Sequence, residues 1–182
     1  MRRTNKKLLL RAVQSRAARV AVGASTVRGA GNAGVAAASR EFLAGVDLRP
    51  FGTPQAARFE KALEAETRRL QAHLPHRARK WGLARKVLNI FLRDCLYTGY
   101  LADAYSLGRA EHHMELPLDA ITTRSLRDHS EPGELPPWLG VKRLTPTASA
   151  RYQARATACA ADLGFARVHL DSVWWSLARD EA

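Results

Sequence analysis

The run Val87, Leu88, Ile90, Phe91, Leu92, Cys95 and Leu96 puts apolar side chains around nearly the whole circumference of a helix. A segment of that kind, from about Leu83 to Ala104, has no polar face to give to water, and it predicts a central buried helix. The flanking sequence supplies partners with the same 3.6-residue period. Leu9, Val13, Ala17 and Val20 fall on one side of a first helix over about 5–22, and Val35 to Ala44 reads as a short second one. Thr53-Pro54 reads as N-cap and first helical position of a charged helix running to about Ala72, with Pro75 stopping it. Asp119 is expected to cap a helix ending near Arg127, Thr145-Pro146 to open one reaching about Leu163, and His169 to Ala178 to form the last. No strand alternation and no internal repeat appears. The fold class is therefore all-α, a compact helical domain of about seven helices.

Charge is distributed unevenly along this frame. Residues 1–40 carry nine Lys and Arg and no acid, whereas the remainder is close to balanced in a chain of net charge +12. An acid-free basic segment on a near-neutral domain fits a polyanion, because each phosphate it neutralises releases a counterion. DNA is the expected partner. Arg2, Arg3, Lys6, Lys7 and Arg11 would supply the contacts, followed by the Gly-rich loop of Ser25, Thr26, Arg28, Gly29 and Gly31, whose backbone can approach phosphates closely. That loop reads equally as a plain connector.

The division expected is one unit over 1–182, with 1–40 as basic helix and loop and 41–182 as helical core holding a cleft. A basic, amphipathic Met1 to Thr26 also fits a transit peptide, but Leu8-Leu9-Leu10 is too short for a secretory core, and the cytoplasm is the working compartment. No apolar run is long enough to span a membrane. Cys95 and Cys159, far apart and without a CxxC pair, predict no cysteine-bound metal; no cofactor is expected and the chain reads as a monomer.

The chemistry-bearing stretch is Trp81-Gly82-Leu83-Ala84-Arg85-Lys86-Val87-Leu88-Asn89, followed by Leu116-Pro117-Leu118-Asp119 and Arg124. Gly82-Leu83-Ala84-Arg85-Lys86 resembles the G-x-G-x-K hairpin of the helix-hairpin-helix DNA glycosylase superfamily, the group of endonuclease III and the 8-oxoguanine glycosylases, with Ala84 in place of the second glycine. Lys86 stands where bifunctional members carry a lysine nucleophile, and Pro117-Leu118-Asp119 with Arg124 resembles their aspartate-bearing helix start. Lys86 to Arg93 also resembles a K-x-L-N-x-F-L-R run in small prokaryotic relatives, among which are antiviral glycosylases. The match covers about residues 81–127. It implies a helix-hairpin-helix element, DNA contacts from Gly82, Arg85 and Arg124, and excision of a modified or damaged base flipped out of DNA. AP-lyase activity follows if Lys86 is the nucleophile. Repair and anti-phage defence are both admitted, the latter with glucosylated hydroxymethylcytosine as substrate.

The residue types suit that chemistry on physical grounds. Breaking an N-glycosidic bond builds positive charge on the sugar, which a fixed carboxylate stabilises, and Asp119 at a helix start is the candidate. It is equally a plain N-cap. Lys86 can attack C1′ if burial and the neighbouring Arg85 lower its pKa, or it can simply touch a phosphate. Tyr97, Tyr100, Trp138, Trp174 and Trp175 include candidates for stacking a flipped base, with Tyr97, Tyr100 and Trp138 the choice, although most tryptophans and tyrosines belong to cores. Glu111-His112-His113 with Glu115 reads as a solvated turn because adjacent histidines do not share a helix face. No cluster of carboxylates at metal-binding spacing supports a nuclease. A non-enzymatic DNA-binding module is the alternative.

Overall fold

The segment expected to be central forms α4 (Trp81–Tyr97), in which every residue from Trp81 to Asn89 is buried. A computed structural model describes residues 2–27 and 34–180, with side chains over 5–27 and 34–176. Around α4 lie α1 (Arg2–Ala21), α2 (Val35–Ala44), α3 (Ala56–His73), α5 (Gly99–Tyr105), α6 (Ala120–Asp128), α7 (Pro146–Asp162) and α8 (Leu170–Asp180), with no strand among the described residues. No helix among them is long and apolar enough to cross a membrane.

The described residues form eight α-helices where seven were expected, because the long apolar segment breaks at Thr98. Thr98 is extended, its hydroxyl donates to the Asp94 carbonyl at 2.7 Å, and the following Gly99 has little helix propensity, so α4 ends and α5 starts afresh. The third helix opens later than Thr53-Pro54 suggests. Thr53 Oγ1 instead accepts from the Gln55 N–H at 3.2 Å, making a local turn, and Gln55 becomes the N-cap. Asp119 and Thr145 do cap α6 and α7 as the sequence indicates.

Two apolar clusters share the interior. The first gathers α1 to α5 around Phe51, Phe59, Leu70, Leu83, Leu88 and Phe91. The second gathers α6 to α8 around Leu116, Leu126, Tyr152 and Leu170, with Trp81 from the start of α4 inserted into it. The first turn of α4 thus lies on the seam between them.

Gly82 explains how close that seam is. A Cβ there would stand 2.3 Å from the Val141 carbonyl oxygen and 2.7 Å from Leu144 Cβ, so only glycine lets the 139–144 segment cross α4. This corrects two expectations. Gly82 to Lys86 is the first turn of a helix rather than a hairpin, and Gly82 is buried packing rather than a DNA contact.

Helix α1 is rotated from the face its apolar period suggested. Gln14, Ala17, Ala18 and Ala21 are buried, whereas Leu9 and Val20 are exposed. The cause is a polar anchor: Gln14 Nε2 donates to the carbonyls of Leu43 (3.0 Å) and Val46 (2.8 Å), fixing α1 against the end of α2. Arg40 and Thr26 then close the far end of α1, donating to the carbonyls of Val22 and Ala21. Val20 and Ala21 are thereby held against the seam.

Candidate active site

Lys86 and Asp119, distant in sequence, meet at the seam with Nζ and Oδ2 3.5 Å apart. The two ends of this contact are built differently. Asp119 Oδ1 accepts from the N–H groups of Ile121 (2.9 Å) and Thr122 (3.1 Å), while the Asp119 N–H donates to Thr122 Oγ1 at 2.9 Å. This reciprocal cap uses one carboxylate oxygen and leaves the other for Lys86. Capping therefore does not exclude the contact with Lys86. The unpaired N–H groups and dipole of α6 favour a negative charge at that point.

Lys86 is only 8 % exposed. Burial holds its ammonium below the ordinary lysine range, and the charge and hydrogen bond of Asp119 oppose that lowering without cancelling it. Arg85 takes no part, contrary to the expected effect of a like charge. It is turned to the other side of α4, where Nη2 donates to Glu64 at 2.8 Å, Nε lies 3.5 Å from Glu115, and the guanidinium covers the Trp81 ring at 4.8 Å. Buried and engaged in this way, Arg85 is not offered to a phosphate, which corrects its expected DNA role.

Two hollows open on either side of the Lys86–Asp119 pair and share Ser25 and Trp175. One, of about 400 Å³, is polar at its floor, where Arg93 pairs with both Asp94 (2.9 Å) and Asp171 and where Ser172 and Ser176 add hydroxyls. Burial raises the Asp94 carboxyl, with Arg93 opposing. The other, of about 470 Å³, is largely apolar, walled by Ile121, Trp138, Leu139 and Val141.

The remaining expected site residues separate into three groups. Ser25, Thr26 and Trp138 do reach the hollows, and Trp138 stands edge-on to Tyr152 with centroids 5.9 Å apart. Lys6, Lys7 and Arg11 are exposed toward the other end of α1, and Arg124 is exposed on α6. Tyr97 and Tyr100 are exposed as well, but they border separate hollows between α1 and the α4–α5 break and do not line the cavity, which corrects their place in a base pocket. Arg28, Gly29 and Gly31 lie outside the described residues, as do the side chains of Arg2 and Arg3.

Sequence reasoning gave no role to Ile90 or Arg93, and it named Trp175 among the stacking candidates without choosing it. Ile90 and Arg93 stand four and seven residues after Lys86, on the same helical stripe, and both line the polar hollow. Trp175 lines both hollows, while its neighbour Trp174 is buried in the second core. The stripe was readable from spacing alone; the choice between the two tryptophans depends on how α8 is rotated.

Glu111, His113 and Glu115 diverge to separate partners: His169, the Pro54 carbonyl and Asn89. Among the described residues no group of three His, Cys, Asp or Glu is gathered to hold a metal ion. Comparison with family models, curated proteins and solved structures gives no match for this chain.

Chemically, the seam combines a buried amine whose charged form is disfavoured, a carboxylate fixed by backbone donors, and a cavity open to a ligand. An amine of that kind is a nucleophile in its neutral form. A carboxylate so placed stabilises a centre that becomes positive during reaction.

Proposed function

We propose that the chain is a DNA N-glycosylase that removes a modified or damaged base flipped out of the strand. The observation that carries this reading is the Lys86–Asp119 pair, set 3.5 Å apart in a cavity with an indole wall. The acid-free basic segment over 1–40 supports DNA as the partner. A base turned into the cavity would lie against Trp175 with its sugar beside the pair.

The reaction follows from the two side chains. The neutral Lys86 amine forms a bond to C1′ as the bond from C1′ to the base breaks, and the electron pair leaves with the base. The departing base takes up the proton that the attacking nitrogen sheds. Asp119 stabilises the positive charge on the sugar as that bond breaks. The nitrogen lone pair then forms the C=N bond as the C1′–O4′ bond breaks and O4′ takes up a proton from water, leaving a protonated Schiff base on Lys86, the state from which strand cleavage by AP-lyase chemistry proceeds. With water as the nucleophile instead, the same carboxylate serves and an abasic site is the product.

The test is incubation with a panel of modified duplexes and modified phage genomes, scoring abasic sites and strand breaks separately. Borohydride should trap a covalent adduct with wild type and none with Lys86→Gln. Base release without any trapped adduct would assign the attack to water and Lys86 to binding. Absence of base release throughout the panel, with DNA binding retained, would favour the non-enzymatic DNA-binding alternative. The substrate on the panel that reacts also separates repair from defence.

A further inference from the structure

The hollows along α1 form a line. At one end Lys6 and Leu9 face Tyr100 and Asp103; next, Val13 and Arg16 face Tyr97 and Thr98; last comes the polar hollow beside Lys86. The second and third share Val20 and Asp94, so this part of the groove leads directly into the candidate active site. From Lys6 to Val20 the distance along the helix is about 21 Å at 1.5 Å per residue.

The lining of this groove is unusual for a water-exposed surface. Tyr97 is 50 % exposed, Tyr100 is 66 % exposed and Val20 is 65 % exposed, with Lys6 beside Tyr100 and Arg16 beside Tyr97. The first two hollows hold two acids, and they differ: Asp94 is paired with Arg93 at 2.9 Å, and Asp103 is exposed. Tyr97 is also held in place. Its hydroxyl meets His169 Nδ1 at 2.8 Å and Ser172 Oγ at 3.3 Å, His169 is gripped on its other nitrogen by Glu111, and the two rings lie within 8° of parallel. A ring fixed before binding loses little entropy when something stacks on it.

Duplex DNA offers phosphates on its outside and keeps its bases within, so it would use the cations and leave the rings idle. A single strand uses both, because its bases have free faces to stack on aromatic rings while its phosphates meet the cations. We propose that this groove is a binding site for single-stranded DNA, with bases stacked on Tyr97 and Tyr100 and phosphates at Lys6 and Arg16, leading the strand into the cavity of Lys86 and Asp119. At 3.4 Å per stacked nucleotide the groove has room for about six. The inference rests on the reading above for where the strand leads, not for how it is held.

Fluorescence anisotropy on the full chain tests it with three labelled 12-mers: a mixed-sequence single strand, the same strand annealed to its complement, and an abasic strand with the same phosphates. The base-bearing single strand should bind at least about 10-fold more tightly than the abasic one, since stacking is worth about 5-fold or more per base and two rings are offered. Tyr100→Ala should remove at least about 5-fold of that affinity and Tyr100→Phe should restore it. Tyr100 is largely exposed, so neither change touches the core. Lys6→Gln should reduce the salt slope by about 0.7. Equal affinity for base-bearing and abasic strands, no loss in Tyr100→Ala, or tighter binding of the duplex would each overturn the proposal. Base release measured in parallel keeps the two ideas apart. A groove that fails with excision intact leaves Lys86 and Asp119 as read, and a groove that passes without excision leaves a single-strand-binding protein.

Discussion

Arg85 and Lys86 are neighbours in sequence, both buried, both cationic, and they do opposite things. On one side of α4, Arg85 meets two carboxylates and an indole, Glu64, Glu115 and Trp81, so its charge is consumed in joining α4 to α3 and to the segment before α6. On the other side, Lys86 meets one carboxylate, which is already shared with the N-terminus of α6, and an open cavity. A rotation of about 100° between consecutive residues is enough to put one cation in a closed cluster and the other on a cavity. The difference is in what surrounds each charge. Arg85 is paired with two carboxylates, although its Nε and Nη1 lack hydrogen-bond partners, whereas burial of Lys86 beside a single carboxylate holds its pKa below the ordinary lysine range.

The comparison can be broken most severely at Gly82. A methyl group there meets backbone oxygen at 2.3 Å, which cannot move aside as a flexible side chain can. Gly82→Ala should therefore lower stability by about 3 kcal/mol, read as a shift in the denaturant midpoint, and should damage binding and chemistry together because the seam itself is forced open. Arg85→Ala comes next. It removes the guanidinium from Trp81 and leaves the half-buried Glu115 with fewer partners, a loss of about 2 kcal/mol in the same measurement, after allowance for the partial exposure of both carboxylates. Base release per folded molecule should change little.

The smallest effect on stability is expected at Lys86, and its sign is opposite. Because the folded-state pKa of Lys86 is lowered, the unfolded chain binds more protons between that pKa and the ordinary lysine value of 10.5, so stability rises with pH across that window. Lys86→Met should be at least as stable as wild type at neutral pH, and its advantage should shrink as the pH approaches 10.5. Urea titrations at pH 7 and pH 10 check this. A Lys86→Met protein clearly less stable than wild type at pH 7 would show that the pair with Asp119 is structural, like the Arg85 cluster.

Much of this arrangement was legible in the sequence, and what was not has a physical cause. Local signals succeeded where the determinant is local: Asp119 and Thr145 carry their caps in their own side chains, and both helices begin there. The break at Thr98 is local too, but the apolar run on either side masked it. Arg85 was misread because its partner Glu64 lies on another helix, and no spacing rule joins them. The cavity stripe of Lys86, Ile90 and Arg93, continued by Tyr97 along the groove, has helical spacing and was hidden by the apolar residues between. Gly82 looked like a hairpin glycine because glycine fits both a turn and a close crossing of chain segments, and only the position of Val141 and Leu144 tells them apart.

The central claim is that Asp119 does more than cap α6, and Asp119→Asn addresses it directly. Asparagine keeps the size and the capping oxygen, so the helix start and the seam should persist, with circular dichroism, denaturant midpoint and DNA affinity close to wild type. It removes the negative charge that faces Lys86 and, in the proposed reaction, the sugar. On a substrate that wild type excises, single-turnover base release should fall on the order of 100-fold or more, the effect of losing about 3 kcal/mol of electrostatic stabilisation from one preorganised group. Base release near the wild-type rate from a folded, DNA-binding Asp119→Asn protein would contradict the account and reduce Asp119 to a helix cap.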